Sequence, residues 1–390
     1  MKKNITILTF LLSILFGACL TPEILASDNN FDFRYEGINY KISNAATGTL
    51  TAIESPAAGE VVIPDRINLS SGSYTVTAIG AGAFADCPNL KSVTIPASVT
   101  SIGEGAFANC RKLQKVIIPN TITSIAPATF LNCRKLSSVT IPFSVTSIGN
   151  DAFKGCEKLK SIALSNYINS VGQGAFSGCK KLAAVAMPKY LVSLEDSTFY
   201  NCSSLRDIEI PFQVKSIGNY AFTGCNHLVS VSLPASVTSI GVNAFDNCRR
   251  LKKVDISDLA AWCNISFASP TSNPLLNRPL LFLKGIEVKA LDLPSSVTTI
   301  GEGTFSGCSS ILAISIPKSV TSIAQGAFSN CANLNTLNIP TSVTKINPGA
   351  FANCPKLTSV TIPQSYMSQS AFNEIFPDCP NIKNVFPSNY

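Results

Sequence analysis

Fourteen cysteines, one histidine and one tryptophan bound the chemistry open to this 390-residue chain. Thiolates can hold metals, form disulfides or act as nucleophiles, and each use needs a partner group at a set distance. Cys87, Cys110, Cys133, Cys156, Cys179, Cys202, Cys225 and Cys248 recur every 23 residues; Cys308, Cys331 and Cys354 resume the period, and Cys379 follows after 25. None of these has a Cys-x-x-Cys partner or a neighbouring cluster of His, so the row predicts no metal site and no cofactor. An even Cys spacing in an exported chain suggests disulfides, but side chains stacked in a ladder point the same way. Buried free thiols acting as small hydrophobes are the expectation, with Cys263 off the ladder. His227 stands alone, and the adjacent Glu195 and Asp196 would point to different sides of an extended chain. Gly-x-Ser-x-Gly, Walker and His-Glu-x-x-His motifs are absent. The chain reads as a non-enzyme.

Charge is the more promising signal. Residues 91–254 hold 18 Lys and Arg against 8 Asp and Glu, whereas residues 1–90 hold 5 against 8 and residues 255–390 hold 7 against 7. Many of the central charges occupy the two positions after a Cys: Arg111 and Lys112, Arg134 and Lys135, Lys158, Lys180 and Lys181, Arg249 and Arg250. These nine form a candidate anion-binding edge, in which Arg111, Arg134, Lys158 and Lys180 are expected to stack one coil apart. An acidic glycan or protein surface would suit it; a solvated rim is the competing reading. Aromatics make up 8% and are mostly Phe, which fits core filling better than base stacking, so no nucleic-acid partner is expected. Outward strand positions such as Ser137, Ser138, Thr140, Ala183, Ala184 and Ala186 are small, and the strand face lacks aromatic anchors. Trp262 is the candidate hot spot, against the alternative that it packs the long loop onto its neighbour.

The Cys period decides which elements carry these residues. One unit reads Leu90-x-x-Val93-x-Ile95-Pro96-x-x-Val99-x-x-Ile102-Gly103-x-x-Ala106-Phe107-x-x-Cys110. Val93 and Ile95 share one side by strand alternation, and Pro96 ends the strand because it has no N–H to donate. So small a unit cannot bury its apolar groups alone; neighbours must stack into a repeat solenoid with one short parallel strand per coil. Strand ends from Pro64 to Pro387 count about 14 coils, a rod roughly 65 Å long at ~4.8 Å per strand. The residue before each of the twelve ladder Cys is always Gly, Asn or Asp, which predicts a positive-φ turn at that corner of every coil.

Two regions depart from the period. Residues 27–80 are expected to form an N-terminal cap and first coil, followed by regular repeats over 81–257. The coil at 258–294 carries 14 extra residues and is expected to bulge as a loop or hairpin with Leu280 to Leu283 as a strand. Regular repeats resume over 295–363, and 364–390 closes the C-terminal end. At the start, Lys2 and Lys3 precede an apolar run from Ile5 to Leu20 that is shorter than a spanning helix. This is read as a signal peptide, residues 1–26 with cleavage before Ser27, or 1–18 if Cys19 is lipidated. The protein is thus expected to be exported, at the cell surface or extracellular, touching membrane only through a lipid at Cys19.

The repeated Val-Thr-Ser-Ile-Gly-x-x-Ala-Phe-x-x-Cys-x-x-Leu-x-x-Val-x-Ile-Pro unit, recurring over roughly residues 60–387, resembles the BspA-like leucine-rich repeats of surface proteins from host-associated bacteria. The resemblance implies a right-handed leucine-rich-repeat superhelix and a non-enzymatic, adhesin-like surface protein that binds protein or glycan. It supplies no shared ligand and no set of binding residues. A structural envelope protein that self-associates is the rival expectation.

Overall fold

The computed structural model describes residues 32–388. The expected signal segment and Cys19 lie outside the described residues. The chain winds into a β-solenoid in which every regular coil crosses two faces. The Leu-x-x-Val-x-Ile stretch makes the first strand: Val93 pairs in parallel with Val116, Val116 with Val139, and Val231 with Val254. A second row, beyond the single strand expected per coil, is built from two-residue strands such as Ser124–Ile125, Ser147–Ile148 and Ser170–Val171. Two residues are too few to register as an alternating pattern, although the Ser-Ile pair repeats in register.

Between the rows lies one continuous core. The rings of Phe84, Phe107, Phe130, Phe153, Phe176, Phe199, Phe222 and Phe245 stack with neighbouring centroids 5.2–5.6 Å apart. Phe305, Phe328, Phe351 and Phe376 continue the stack at 5.1–5.4 Å. Each fully buried apolar side chain contributes about 1.5–3 kcal/mol, and since each touches the coils on either side, stability resides in the interfaces.

All twelve Gly, Asn and Asp residues preceding the repeat cysteines, from Asp86 to Asp378, adopt positive φ, as expected. A second positive-φ row occurs four residues earlier, at Gly82, Gly105, Ala128, Asp151, Gly174, Ser197, Tyr220 and Asn243. Its mixed composition hid it in the sequence, because Ala, Ser and Tyr do not favour this conformation.

The long coil has the expected strand at Leu280–Leu283 and a hairpin after it, but its first extra residues pack into the core instead of bulging outward. From Lys253 to Ser266, paired respectively with Ser230 and Ser239, the chain is four residues longer than in the preceding coil. The short helix α1, Leu259–Cys263, takes up the difference, with the Asp258 carboxylate accepting from Ala261 N at its start. Leu259, Trp262, Cys263, Ile265 and Leu275 are buried in the common core. Leu280–Leu283 then pairs in parallel with Lys253–Ile256 as a further rung, so the first row holds fifteen strands, one more than the strand-end count suggested. The remaining ten residues fold back as a hairpin with Ile286–Glu287 antiparallel to that rung.

Elements outside the regular repeat pack against both ends of the solenoid, with Asn384–Pro387 left as the outer strand of its sheet. At the front, Phe33–Tyr35, Ile38–Asn44 and Thr49–Ile53 form an antiparallel meander whose last strand pairs in parallel with Gly72–Ile79. At the back, Asn384–Pro387 pairs with Ser359–Ile362, and helix α2, Gln369–Ile375, replaces a second-row strand. Next to it the Tyr366 hydroxyl accepts from Ile346 N (3.1 Å) and donates to Thr344 O (2.7 Å), satisfying the last edge.

Candidate functional site

Arg111, Lys112, Arg134, Lys135, Lys158, Lys180, Lys181, Arg249 and Arg250 are all exposed where the chain leaves the Cys corner and enters the first-row strand. The register sorts them into two columns. In the second position after each Cys, Lys112, Lys135, Lys158 and Lys181 follow one another on four successive coils, ~4.8 Å apart at the backbone. The first position holds Arg111 and Arg134, then Glu157, then Lys180. Lys158 therefore does not stack with Arg134 and Lys180 as expected; Glu157 does, and it pairs with Lys180 at 3.1 Å. Two coils bearing Ser203, Ser204, Asn226 and His227 separate this group from Arg249 and Arg250, which stand apart. Among the described residues, Lys180 is the only one of the nine within 4 Å of a carboxylate. Lys112 Nζ donates to Asn89 Oδ1 (2.9 Å) one coil back.

All thirteen cysteines in the described residues are free thiols, and twelve are buried. In nine of the twelve ladder cysteines Sγ donates to the carbonyl of the Phe 26 residues earlier, as in Cys110 to Phe84 (3.0 Å), Cys156 to Phe130 (3.2 Å) and Cys202 to Phe176 (3.1 Å). Burial pushes the thiols of Cys110, Cys179, Cys248 and Cys263 up to about 12, far from the thiolate form that attack or metal binding requires. Among the described residues no group of three or more His, Cys, Asp or Glu could hold a metal ion.

The isolated polar residues are occupied locally. His227 Nδ1 lies 2.7 Å from Ser203 O, Glu195 Oε1 accepts from Ser193 Oγ (2.6 Å), and Asp196 Oδ1 accepts from Asn219 N (2.7 Å). Trp262 is corrected as a hot spot: only 2% of it is exposed, its ring meets Phe267 edge-on at 5.5 Å, and Nε1 donates to Thr304 O (3.2 Å) on the next coil. Asn273 Nδ2 reaches the same carbonyl (3.1 Å), and Ser310 Oγ accepts from Leu281 N (3.1 Å). Side chains thus fasten the long coil where the regular ladder is broken.

A line of exposed aromatics escaped the reading of the strand positions. Phe143, Tyr167, Tyr190 and Phe212 sit on four successive coils, one or two residues beyond the strand ends Pro142, Ser165, Pro188 and Pro211. The available signal was the replacement of small residues, Ala97 and Asn120 or Ser98 and Thr121, by rings at equivalent positions of successive copies.

Stacked 23-residue coils with in-register parallel strands, capped at both ends and without a catalytic cluster in the described residues, define a repeat scaffold. The chain belongs to the BspA type leucine rich repeat family, whose model matches residues 66–183, 146–272 and 281–389. The fold is similar to that of a leucine-rich repeat protein from Bacteroides ovatus, at 26% identity and TM-score 0.61, over 91% of this chain and 99% of that one. A leucine rich cell surface protein from Faecalibacterium prausnitzii is 25% identical over 94% of this chain and 97% of its own, with TM-score 0.48. No curated protein matches the chain. No helix among the described residues is long and apolar enough to cross a membrane.

Proposed function

We propose that this protein is an exported, adhesin-like binding scaffold that takes a polyanionic partner, an acidic glycan or an acidic protein surface, along Lys112, Lys135, Lys158 and Lys181. The single observation that carries the reading is the column itself: four lysines on consecutive coils, all exposed, none with a carboxylate within 4 Å. Charges ~5 Å apart repel by at most about 0.8 kcal/mol per pair in a water-like dielectric, a cost that solvation and splaying of the side chains absorb. A polymer of negative charges relieves several repulsions together, so its binding is multivalent and salt-sensitive. Membership of a repeat family rather than a catalytic one supports binding over catalysis.

The test is titration of the purified protein with a sulfated glycan and with polyglutamate at low and at physiological salt. Binding of either, weakening as salt rises, is expected. Failure of both to bind at low salt would overturn the reading. Export is tested by the mass of the mature N-terminus, which distinguishes a free Ser27 from a lipidated Cys19.

A further inference from the structure

A cleft of about 620 Å³ lies where the coils turn from the second strand row towards the Cys corner. It crosses five successive coils, from Asp151 and Lys154 at one end to Asp246 and Asn247 at the other. Four coil intervals at ~4.8 Å give a run of roughly 19 Å, room for about four sugar rings. Two columns of the repeat build it. The residue after each core Phe supplies Lys154, Ser177, Tyr200, Thr223 and Asp246, and the positive-φ residue three positions earlier supplies Asp151, Gly174, Ser197 and Tyr220. Most other coils hold small residues there, such as Ala85, Ala108 and Ala352 in the first column and Gly82, Gly105 and Gly349 in the second.

Tyr200 and Tyr220, on neighbouring coils, are 37 and 41% exposed and supply the rings of the cleft. Tyr220 has φ +57, a left-handed conformation that strains a bulky residue and that Gly adopts freely, so this ring stands against the preference of its backbone. Ser177 is buried at 7% exposure. Its N–H and carbonyl are paired with Gly174 O (2.9 Å) and Gly155 N (2.7 Å), whereas its hydroxyl has no partner among the described residues and opens on the cleft. At Gly174 a side chain would strike the Asp151 carboxylate, so the glycine leaves the floor beside Ser177 open.

The lining selects the occupant. Apart from Gly174, every residue of it carries a side-chain hydrogen-bonding group, and none is aliphatic. Sugar hydroxyls both donate and accept, so these groups replace the bonds lost with water, while the Tyr rings meet the C–H faces of the sugar. An apolar peptide would find the two rings and no further apolar wall. Three charged side chains line the cleft. Lys154 is held by Asp151 (3.1 Å), and Asp246 accepts from Asn247 Nδ2 (2.8 Å), whose Oδ1 accepts in turn from Arg249 outside the cleft (3.4 Å). With its one cation paired, the cleft offers nothing to a polyanion and suits an uncharged ligand.

We propose that this cleft binds a neutral oligosaccharide of about four units, with Tyr200 and Tyr220 against its rings and Ser177 and Asp246 bonded to its hydroxyls. The site shares no residue with the lysine column and does not rest on the reading of that column. The test is calorimetric titration of the purified protein with cellotetraose, maltotetraose, mannotetraose and chitotetraose. At least one should bind, equally well at low and at physiological salt. Tyr200→Ala and Tyr220→Gly should each weaken that binding at least about tenfold, and Ser177→Ala about threefold, while a variant of the lysine column binds normally. Both tyrosine variants should keep the fold, because Ala85 and Ala108 occupy the place of Tyr200 in other coils and the Tyr220→Gly change relieves the positive-φ strain; their thermal melts should match or exceed the wild type. The proposal is overturned if none of the four sugars binds at millimolar concentration, or if the tyrosine variants bind as tightly as the wild type. Binding that weakens as salt rises, as an ionic contact would, also overturns it.

Discussion

The Cys133 thiol donates a 3.1 Å hydrogen bond to the carbonyl oxygen of Phe107 on the preceding coil. The same bond recurs along the ladder, so the side chain that looks like reactive chemistry instead ties each coil to its neighbour. A sulfur in this position fills the volume of a small hydrophobe and gives a second donor to a carbonyl that already accepts from Cys110 N (3.3 Å) within its own turn.

Native protein at pH 8 should therefore be almost unreactive towards a thiol reagent, while the denatured, unreduced chain reacts at nearly every ladder Cys. Folding raises these thiols above their unfolded range, so the stability that they contribute is complete below about pH 8.5 and is lost as pH rises towards 12. Each such thiol contributes a slope of about 1.4 kcal/mol per pH unit within that window. A melting temperature flat to pH 8.5 that then falls steeply is the expected profile. Quantitative disulfides in the denatured sample, or a flat profile to pH 11, would contradict the ladder.

Truncation of a central rung tests the stacked core. Phe153→Ala removes a ring with neighbours on both sides and should cost about 3–5 kcal/mol, read as a lower midpoint in urea. The same change at Phe143, which is exposed, should cost under about 0.5 kcal/mol.

Much of this core was legible from the amino-acid order. The 23-residue period places Phe107 under Phe130 and gives the positive-φ corner at Asn109 and Asn132, because one apolar pattern and one backbone requirement repeat in every copy. What stayed hidden is what does not repeat. Ser124–Ile125 is too short to show alternation, Tyr220 occupies a positive-φ corner that its residue type disfavours, and the pairing of Glu157 with Lys180 depends on side-chain geometry that spacing does not give. The Phe143 to Phe212 line is likewise a property of four particular copies, not of the unit.

Trp262, the sole tryptophan, gives a direct optical test of the long coil. Its fluorescence should be blue-shifted and protected from iodide. Trp262→Phe should cost about 1–2 kcal/mol by removing the bond to Thr304 O, and Trp262→Ala about 3–5 kcal/mol. Red-shifted, readily quenched emission would restore Trp262 to the surface and contradict the packing of α1.

The lysine column is tested most directly by salt elution from a sulfated-glycan column, comparing three chains of known charge. The wild type should elute above physiological salt. The variant Lys112→Ser, Lys135→Ser, Lys158→Ser, Lys181→Ser should elute well below it, with an unchanged circular-dichroism melt. A control losing the same number of charges elsewhere, Lys215→Ser, Lys318→Ser, Lys345→Ser and Lys383→Ser, should elute close to the wild type, since those lysines are scattered over separate coils. Equal losses in the two variants would mean that only net charge matters, and flow-through of the wild type at low salt would mean that the column is no more than a solvated rim.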